Sequence, residues 1–387
     1  MDLSRPQSLL GGLSASTFMR RHWQKKPLLI RAASPGALPG FDARKLFALA
    51  ARDDVESRLV VRSGERWSVR PGPFARRSLP PLATRAWTLL VQGIDLHDES
   101  AHRLLARFRF VADARLDDLM ISYASDGGGV GPHVDSYDVF LLQIAGRRRW
   151  QVGRADATRL RDDVPLKMLA DFAPHHDWVL DPGDMLYLPP GWGHDGTAVG
   201  ACLTASIGFR APLAGALGAD VLQRLGEAAA DDDQPPARLQ RRYRDSGEAA
   251  TDRPARIPAR LQRFAADAVE RLAADRAASA RALGEALSEP KPGTWFERRE
   301  SLPALPAAIV LDRKTRMLYD ERHIFINGES FRAGGADATL ARRLADQRRL
   351  DARSVARMSD EAGQWLAAWL RAGWCAGADE PVDEDLT

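Results

Sequence analysis

The chain has 387 residues, 45% of them hydrophobic and 28% charged, which is ordinary for a globular protein of about two or three domains. Its net charge of +3 is too balanced to argue for nucleic-acid binding, and none is expected. Only two cysteines are present, which excludes a disulfide framework and a cysteine-rich zinc site and fits a reducing, cytoplasmic setting. No apolar run approaches the roughly 20 residues that span a bilayer, and no secretion signal is evident, so no membrane contact is expected.

The first hundred residues mix short elements with proline-rich breaks at 70–74 and 78–83. From about residue 116 the pattern changes to short apolar runs separated by glycine, proline and aspartate. These runs are DDLMISYA, VFLLQIAG, RRWQVG, DMLYLPP and ACLTASIGF. Several short strands with turn signals between them predict a sandwich or barrel, and Gly146 is expected at a hairpin corner.

After Pro212 the composition shifts to alanine, leucine, arginine and glutamate, which favour helices. Residues 211–289 are therefore predicted to form a helical bundle, with an exposed loop at 231–238. An apolar stripe recurs at helical spacing in this region. The stripe consists of Leu261, Phe264, Ala265, Ala268 and Leu272.

The block at 290–378 changes character again. Asn327-Gly328 between apolar residues is a strong signal for a tight hairpin. Two helices are expected to follow, near 337–348 and 360–371. A hairpin combined with helices predicts a small winged-helix-like domain, followed by an acidic, disordered tail at 379–387.

The chemistry of the chain centres on Gly131-Pro132-His133-Val134-Asp135. Because residues i and i+2 of a strand point to one face, His133 and Asp135 can aim at one metal ion. His194, in PPGWGHDG at the end of another predicted strand, supplies a second imidazole. Two histidines and one carboxylate form the facial triad of non-haem Fe(II) oxygenases. Asp195 is the alternative carboxylate, but neighbouring strand residues face opposite ways, which favours Asp135.

Arg148 is the second candidate functional residue. It lies within Arg147-Arg148-Arg149 on a predicted strand, so alternation turns it away from its two neighbours and towards the barrel interior. An arginine inside a barrel is costly unless it meets an anion. A dicarboxylate cosubstrate such as 2-oxoglutarate provides one, since guanidinium groups bind carboxylates in a forked geometry. The alternative is three solvated arginines at a turn.

The segment ISYASDGGGVGPHVDSYDVFLLQIAGRRRWQVG, with DPGDMLYLPPGWGHDG, resembles the JmjC-type ribosomal oxygenases of bacteria. The likeness is to the branch that hydroxylates an arginine of a large-subunit ribosomal protein of the L-sixteen type. FMRRHWQKKPLLIR near the N-terminus also resembles that family's opening. The resemblance implies a fold of mixed α and β class. It comprises a double-stranded β-helix (JmjC or cupin-like) oxygenase domain at 1–210 with its barrel at about 100–210, a helical dimerisation bundle at 211–289, and a winged-helix-like domain at 290–378.

The resemblance also implies roles for individual residues. The iron ligands fall on His133, Asp135 and His194, and the basic residue that binds the keto acid falls on Arg148, where histidine-hydroxylating eukaryotic relatives carry lysine. Ser122 matches a hydroxyl residue that contacts the cosubstrate. Tyr137 is similar to an aromatic residue of the substrate pocket, and Asp118 and Ser206 match guanidinium contacts more weakly. The cofactors implied are Fe(II), 2-oxoglutarate and O2, and the partners are a large-subunit ribosomal protein and a second copy of the chain.

Three other functions remain compatible with the sequence. Hydroxylation of histidine and demethylation of an N-methyl group use the same iron chemistry on other atoms. A non-enzymatic cupin-like or winged-helix binding protein is the third, against which the complete triad and Arg148 both count. Tyr137 can stack on a guanidinium plane and Asp118 can pair with it, so the residues favour an arginine substrate.

Overall fold

A computed structural model describes residues 2–36, 38, 40–155, 159–231, 240–246, 250, 253–300 and 305–378. The chain divides into two compact units, residues 1–211 and 212–384. Apart from residue 231, the predicted loop at 231–238 lies outside the described residues, as does the predicted acidic tail at 379–387.

The described residues of the first unit form a large sheet and three helices. The helices are α1 (Ala15–Arg21), α2 (Ala43–Ala50) and α3 (Glu99–Ala106). The strands are β1 (Leu28–Ile30), β2 (Ser57–Ser63), β3 (Arg66–Pro71), β4 (Trp87–Val91), β5 (Leu116–Ala124), β6 (His133–Val134), β7 (Asp138–Arg154), β8 (His176–Leu180), β9 (Met185–Leu188) and β10 (Trp192–Phe209). Short 3-10 turns occupy Ser8–Leu10, Arg76–Ser78, Ile94–Leu96 and Asp113–Arg115.

The ten strands described for this unit form one antiparallel sheet in the order β1-β9-β7-β10-β5-β4-β2-β3, with β6 on β10 and β8 on β7. Strands β7 and β10 are central because they have 17 and 18 residues and pair along most of their length. Side chains of β2 to β5 and of β6, β7 and β10 line a common cavity. The strands β1 to β4, which the sequence pattern did not predict, belong to the same sheet as those predicted after residue 116.

Gly146 lies within β7 rather than at a hairpin corner, so that expectation is wrong. Strand β7 runs without interruption from Asp138 to Arg154, and Gly146 has a φ angle of +63° in its middle. Opposite it, the register of β10 slips between Val199 and Leu203. A Cβ at Gly146 would collide with the Ala201 carbonyl. The glycine therefore allows a bulge that bends the strand pair without ending it.

The N-terminal segment is part of the core of this unit. The ring of Phe18, on α1, lies 5.4 Å from that of Phe140 and 4.9 Å from that of Tyr187. The Trp23 ring stacks on Tyr187 with centroids 5.8 Å apart. Strand β1 then pairs with β9. Because buried aromatic rings remove much apolar area from water, these contacts fix the N-terminal segment against β7 and β9.

Asp138 is a fully buried carboxylate at the start of β7. It accepts hydrogen bonds from the Tyr187 hydroxyl at 2.6 Å and the Gln24 amide at 3.1 Å, and it pairs with Arg115 at 3.1 Å. Burial raises the pKa of the Asp138 carboxyl, against the lowering effect of these donors. A single acid thus connects the N-terminal segment, the entry to β5 and the strand pair β7–β9.

The second unit contains a helical part and a mixed part. The helices of the first are α4 (Ala214–Asp231), α5 (Ala259–Ala273) and α6 (Arg276–Ser288). The second consists of β11 (Ile309–Leu311), β12 (Met317–Tyr319), β13 (His323–Ile326), β14 (Glu329–Arg332), α7 (Gly335–Gln347), β15 (Arg349–Leu350), α8 (Ala352–Val355), α9 (Asp360–Arg371) and β16 (Cys375–Gly377). Asn327 and Gly328 form the turn between β13 and β14 with positive φ angles, as the sequence predicted.

Helices α7 and α9 lie where helices were predicted, and their apolar faces pack into a core with the two three-stranded sheets of this part. Of the helices that the structure describes, none has the length and apolar character needed to cross a membrane.

We expect Asp138→Ala to destabilise the protein by about 3–5 kcal/mol, because it leaves three donors around a buried site without their acceptor. The measurement is urea unfolding followed by near-ultraviolet circular dichroism. Asp177→Ala is the matched control, since Asp177 accepts its hydrogen bonds from Arg149 and Gln151 at the exposed surface. The control should cost less than about 1 kcal/mol. Equal losses for the two variants would contradict the role given to Asp138.

Candidate metal site and adjoining cavity

His133, Asp135 and His194 come together in the first unit. One ligand atom from each lies within 4.8 Å of the others, and no other such group of three occurs among the residues that the structure describes. His133 and His194 are directly opposed in the antiparallel pairing of β6 with β10, with ring centroids 4.2 Å apart. Asp135 follows β6, and its carboxylate oxygens lie 3.9 Å from His133 Nε2 and 3.5 Å from His194 Nε2.

Backbone carbonyls orient both imidazoles. His133 Nδ1 lies 2.9 Å from the Gly131 oxygen, and His194 Nδ1 lies 3.2 Å from the Trp192 oxygen. Because a carbonyl only accepts, each Nδ1 carries the proton, and each Nε2 lone pair remains available. Metal-binding histidines in proteins are commonly oriented by this kind of hydrogen bond.

His194 is held in the neutral form that a metal ligand needs. Its side chain is 2% exposed, and burial, with a further contribution from nearby His133, lowers the pKa of the imidazole to about 4. A neutral imidazole near physiological pH can bind a cation without first losing a proton. The donor set of two neutral nitrogens and one carboxylate therefore fits a divalent transition metal.

The triad lies on the wall of a cavity of about 260 Å³ that is lined by side chains of several strands of the sheet. Apolar groups make up somewhat more than half of the wall, and polar groups make up the rest. The polar side chains comprise Arg58, Thr88, Gln92, Ser122, Tyr137, Arg148, Lys167, Thr204 and Ser206, in addition to the triad.

Arg148 points into this cavity, whereas its neighbours Arg147 and Arg149 are exposed. Its side chain is 4% exposed and donates to Ser122 Oγ at 3.2 Å and to the Gly196 carbonyl at 3.0 Å. Burial lowers the pKa of this guanidinium, and its Nε has no hydrogen-bond partner. In the described part of the chain no carboxylate forms an ion pair with it. A buried cation with a spare donor is therefore prepared for an anion from outside.

Three of the other four predicted residues line the same cavity, and the fourth, Asp118, does not. Ser122 touches Arg148, and Tyr137 and Ser206 line the wall. Burial raises the pKa of the Tyr137 hydroxyl, with a contribution from Asp135, so this ring stays neutral. Asp118 is buried but does not line the cavity, and its carboxylate accepts the Gly93 N–H at 3.0 Å. The Asp118 carboxylate, which was predicted to contact a substrate guanidinium, thus already accepts a hydrogen bond from the backbone.

Asp195, the alternative ligand, is directed elsewhere. It lines a separate cavity of about 190 Å³ with Arg62, Trp67 and Arg161, not the cavity that contains the triad. Side chains alternate in direction along β10, as the sequence argument against Asp195 as a ligand assumed.

Two residues that sequence reasoning missed shape the Arg148 site. A Cβ at Gly196 would lie 2.7 Å from Arg148 Nε and 2.5 Å from the Trp150 ring, so only glycine leaves room for both side chains. The Trp150 ring lies 4.9 Å from the guanidinium carbon, a cation–π distance. Gly196 lies two residues after His194 on the same strand face, and this i, i+2 spacing is a signal that could have identified it.

A loop also supports the short strand that carries His133. Leu169 N–H donates to the Pro132 carbonyl at 2.8 Å. The Met168 side chain lies so close to Gly131 that a Cβ there would overlap it. Because β6 has only two residues, these contacts and the pairing with β10 hold the metal-facing histidine in place.

Comparison with known proteins gives two family matches. Residues 103–217 match the JmjC domain, and residues 268–376 match the ROXA-like winged helix. The mixed α and β fold class predicted from the sequence, with a JmjC-type barrel and a winged-helix-like domain, is confirmed.

Similar individual proteins come from Escherichia coli. The chain is 40% identical over 228 residues to its ribosomal protein uL16 3-hydroxylase, a match that covers 57% of this chain and 60% of that protein. The X-ray structure of E. coli ycfD has a TM-score of 0.80 at 28% identity and covers 94% of this chain and 98% of that one. YcfD, a ribosomal oxygenase, in complex with cobalt and 2-oxoglutarate matches with a TM-score of 0.76 at 27% identity, with the same coverage. The sequence match, the two domain matches and the full-length structural match together make the chain similar to the JmjC-type ribosomal oxygenases over nearly its whole length.

Proposed function

We propose that the chain is an Fe(II)- and 2-oxoglutarate-dependent hydroxylase that acts on an arginine of a large-subunit ribosomal protein. The observation that carries this proposal is the pairing of a three-ligand metal site with a buried, carboxylate-free arginine on one cavity wall. The activity for which the E. coli relative is named supports the substrate class, and the sequence match covers 60% of that protein.

The triad residues fit iron. His133 and His194 offer neutral nitrogens and Asp135 a carboxylate, the set that non-haem Fe(II) enzymes use while leaving positions open for substrates. Bound iron supplies the oxygen chemistry, which couples decarboxylation of 2-oxoglutarate to succinate with insertion of oxygen into a C–H bond. The chain's own part is to hold the ligands with their Nε2 atoms towards the cavity and to surround the site with apolar side chains that limit water.

Arg148 fits the distal carboxylate of 2-oxoglutarate. Its guanidinium is anchored by Ser122 and Gly196, lies over Trp150 and retains an unpartnered Nε–H. Because these contacts hold the guanidinium in place before binding, less conformational entropy is lost when the dicarboxylate binds. The cobalt and 2-oxoglutarate complex of YcfD supports this assignment through the shared fold.

The cavity wall supports an arginine as the substrate side chain. Tyr137 presents a neutral aromatic ring near Asp135, and Ser206 offers a hydroxyl on the same wall. A guanidinium can stack on the ring and donate to oxygen acceptors, which an ammonium does less well. We assign Asp118 the role of a negative charge near the bound guanidinium, held in position by the Gly93 N–H. With a ribosomal protein as the substrate, the reaction would take place in the cytoplasm.

We also propose a homodimer joined through the helical region at 211–289. Helix α5 has no buried residue in the single chain, and two apolar side chains on it, Leu261 and Val269, are 37% and 54% exposed. The apolar stripe of this helix is only partly covered, with Leu261 and Ala265 exposed. A partly exposed apolar stripe gains stability by pairing with another apolar surface. A second copy of α5 would provide that surface.

We expect Arg148→Ala to raise the 2-oxoglutarate concentration needed for half-maximal turnover by more than about thirtyfold, because loss of a buried charge partner costs about 2–5 kcal/mol. Arg148→Lys should restore part of the affinity, since it keeps the charge but not the fork. Arg149→Ala is the control, as that side chain is exposed and paired with Asp177. Succinate formation measures all three. An unchanged requirement in Arg148→Ala would assign the carboxylate to another residue.

We expect the iron-loaded protein to add one oxygen to an arginine of a large-subunit ribosomal-protein fragment, detected by tandem mass spectrometry. Asp135→Ala should give no product, because the triad leaves no spare protein ligand for the metal. Loss of a methyl group instead of gain of oxygen would mean demethylation, and oxygen on a histidine would mean histidine hydroxylation. Either result would refute the arginine substrate while leaving the metal site standing. Undiminished product from Asp135→Ala would refute the ligand assignment.

We expect Leu261→Glu combined with Ala265→Glu to convert the dimer to a monomer, because two charges would be buried in the proposed interface. Gln262→Glu combined with Ala266→Glu adds the same charge beside the stripe and should remain dimeric. Light scattering gives the mass of each. A monomeric wild-type protein would contradict the proposal.

A further inference from the structure

Positive charge is concentrated in one stretch of the second unit. Residues 240–263 contain seven arginines and three acidic residues, a net charge of +4. The whole chain is +3, so all remaining residues together amount to −1. The nearly neutral total charge, from which no nucleic-acid binding was expected, does not show that positive charge is concentrated in this stretch. A polyanion is attracted by the local charge density at a surface and not by the total charge.

The stretch forms a cavity of about 660 Å³ beside helix α5, which we call the arginine cavity. None of its lining residues is acidic. The lining consists of Gln240, Arg241, Arg242, Tyr243, Arg244, Arg260 and Phe264.

Three of these arginines lack an opposite charge. Arg241, Arg242 and Arg244 are exposed, and within the described ranges none forms an ion pair with a carboxylate. Elsewhere in the same unit arginines do pair, as Arg224 does with Glu289. The three guanidinium groups lie within four consecutive residues and repel one another, and a bound anion relieves that repulsion. Residues 240–263 contain no lysine, and the planar fork of arginine matches the oxygens of a phosphate group better than an ammonium does.

Aromatic rings accompany the charges. The Tyr243 ring meets the Phe264 ring edge to face at 5.7 Å, and the Tyr243 hydroxyl is enclosed without a hydrogen-bond partner. Arginines that follow a phosphate backbone, combined with aromatic rings on which bases stack, are the recurrent means of holding a single nucleic-acid strand. A simple anion site or an acidic peptide would need the charges but not the ring.

We propose that the arginine cavity binds single-stranded nucleic acid, with phosphates at Arg241, Arg242 and Arg244 and a base against Tyr243. This inference does not depend on the proposed hydroxylase activity, because the cavity belongs to the second unit and the metal site to the first. RNA and DNA strands share this chemistry, and the experiment separates them.

The test is fluorescence anisotropy of the full chain with a labelled oligouridine of roughly 16 nucleotides, and with the matching oligothymidine as a second arm. Replacing Arg241, Arg242 and Arg244 together by alanine should weaken binding at least about tenfold. It should also reduce the slope of log K against log salt by about 2, since each phosphate contact on a single strand contributes about 0.7. Tyr243→Leu should weaken binding and leave the salt slope unchanged. Tighter binding of the oligouridine would identify RNA as the ligand, and equal binding would show that the cavity accepts RNA and DNA strands alike.

The matched control removes three exposed arginines from another surface of the same unit, Arg349, Arg353 and Arg357. It should bind like the wild type. Wild-type affinity in the Arg241, Arg242 and Arg244 triple variant would overturn the proposal. So would equal competition by inorganic polyphosphate together with a silent Tyr243→Leu, which would indicate an anion site without base recognition. A change of mass of the triple variant in light scattering would assign the cavity to a second copy of the chain instead.

Discussion

The long antiparallel pairing of β7 with β10 is the constraint on which the rest of the first unit depends. Strand β10 carries His194, Gly196 and Ser206, and β7 carries Arg148, so the register between the two strands sets which side chains meet in the cavity. A slip of one residue would turn every one of these groups to the opposite face. At the bulge around Gly146 the pairing shifts by one residue, from Val199 with Arg147 on one side to Thr204 with Gln143 on the other. Leu141 before the bulge and Arg148 after it therefore both line the cavity.

The metal site and the Arg148 anion site both depend on this register, but each has one further requirement. The metal site needs a third short strand, β6, which places His133 directly opposite His194 and which is held by the loop around Leu169. The anion site needs empty space, which Gly196 provides for the guanidinium of Arg148 above Trp150. Burial acts on both sites. It lowers the pKa of His194, which keeps this imidazole neutral, and it destabilises the charged guanidinium of Arg148, which a bound anion would stabilise.

The two units pose contrasting electrostatic problems. In the first, a small number of charges are buried, and each is matched by hydrogen bonds, as at Asp138, or kept for an incoming group, as at Arg148. In the second, arginines line a solvent-exposed cavity, and among the described residues no carboxylate forms an ion pair with Arg241, Arg242 or Arg244. Buried charges act on a ligand at short range, whereas an exposed cluster acts through the field that it creates over the surface.

The sequence by itself determined the elements that depend on local pattern. Alternation placed Arg148 inward and Asp195 away from the cavity that holds the triad, and the Asn327-Gly328 pair predicted the hairpin between β13 and β14. Only the tertiary structure decided what depends on contacts between distant segments. It brought β1 to β4 into the same sheet, made Gly146 a bulge instead of a corner, engaged Asp118 with Gly93, and gathered four of the seven arginines of residues 240–263 around one cavity. The physical reason is that strand pairing and side-chain burial join residues far apart in the chain, so the free energy that selects them does not appear in any local pattern.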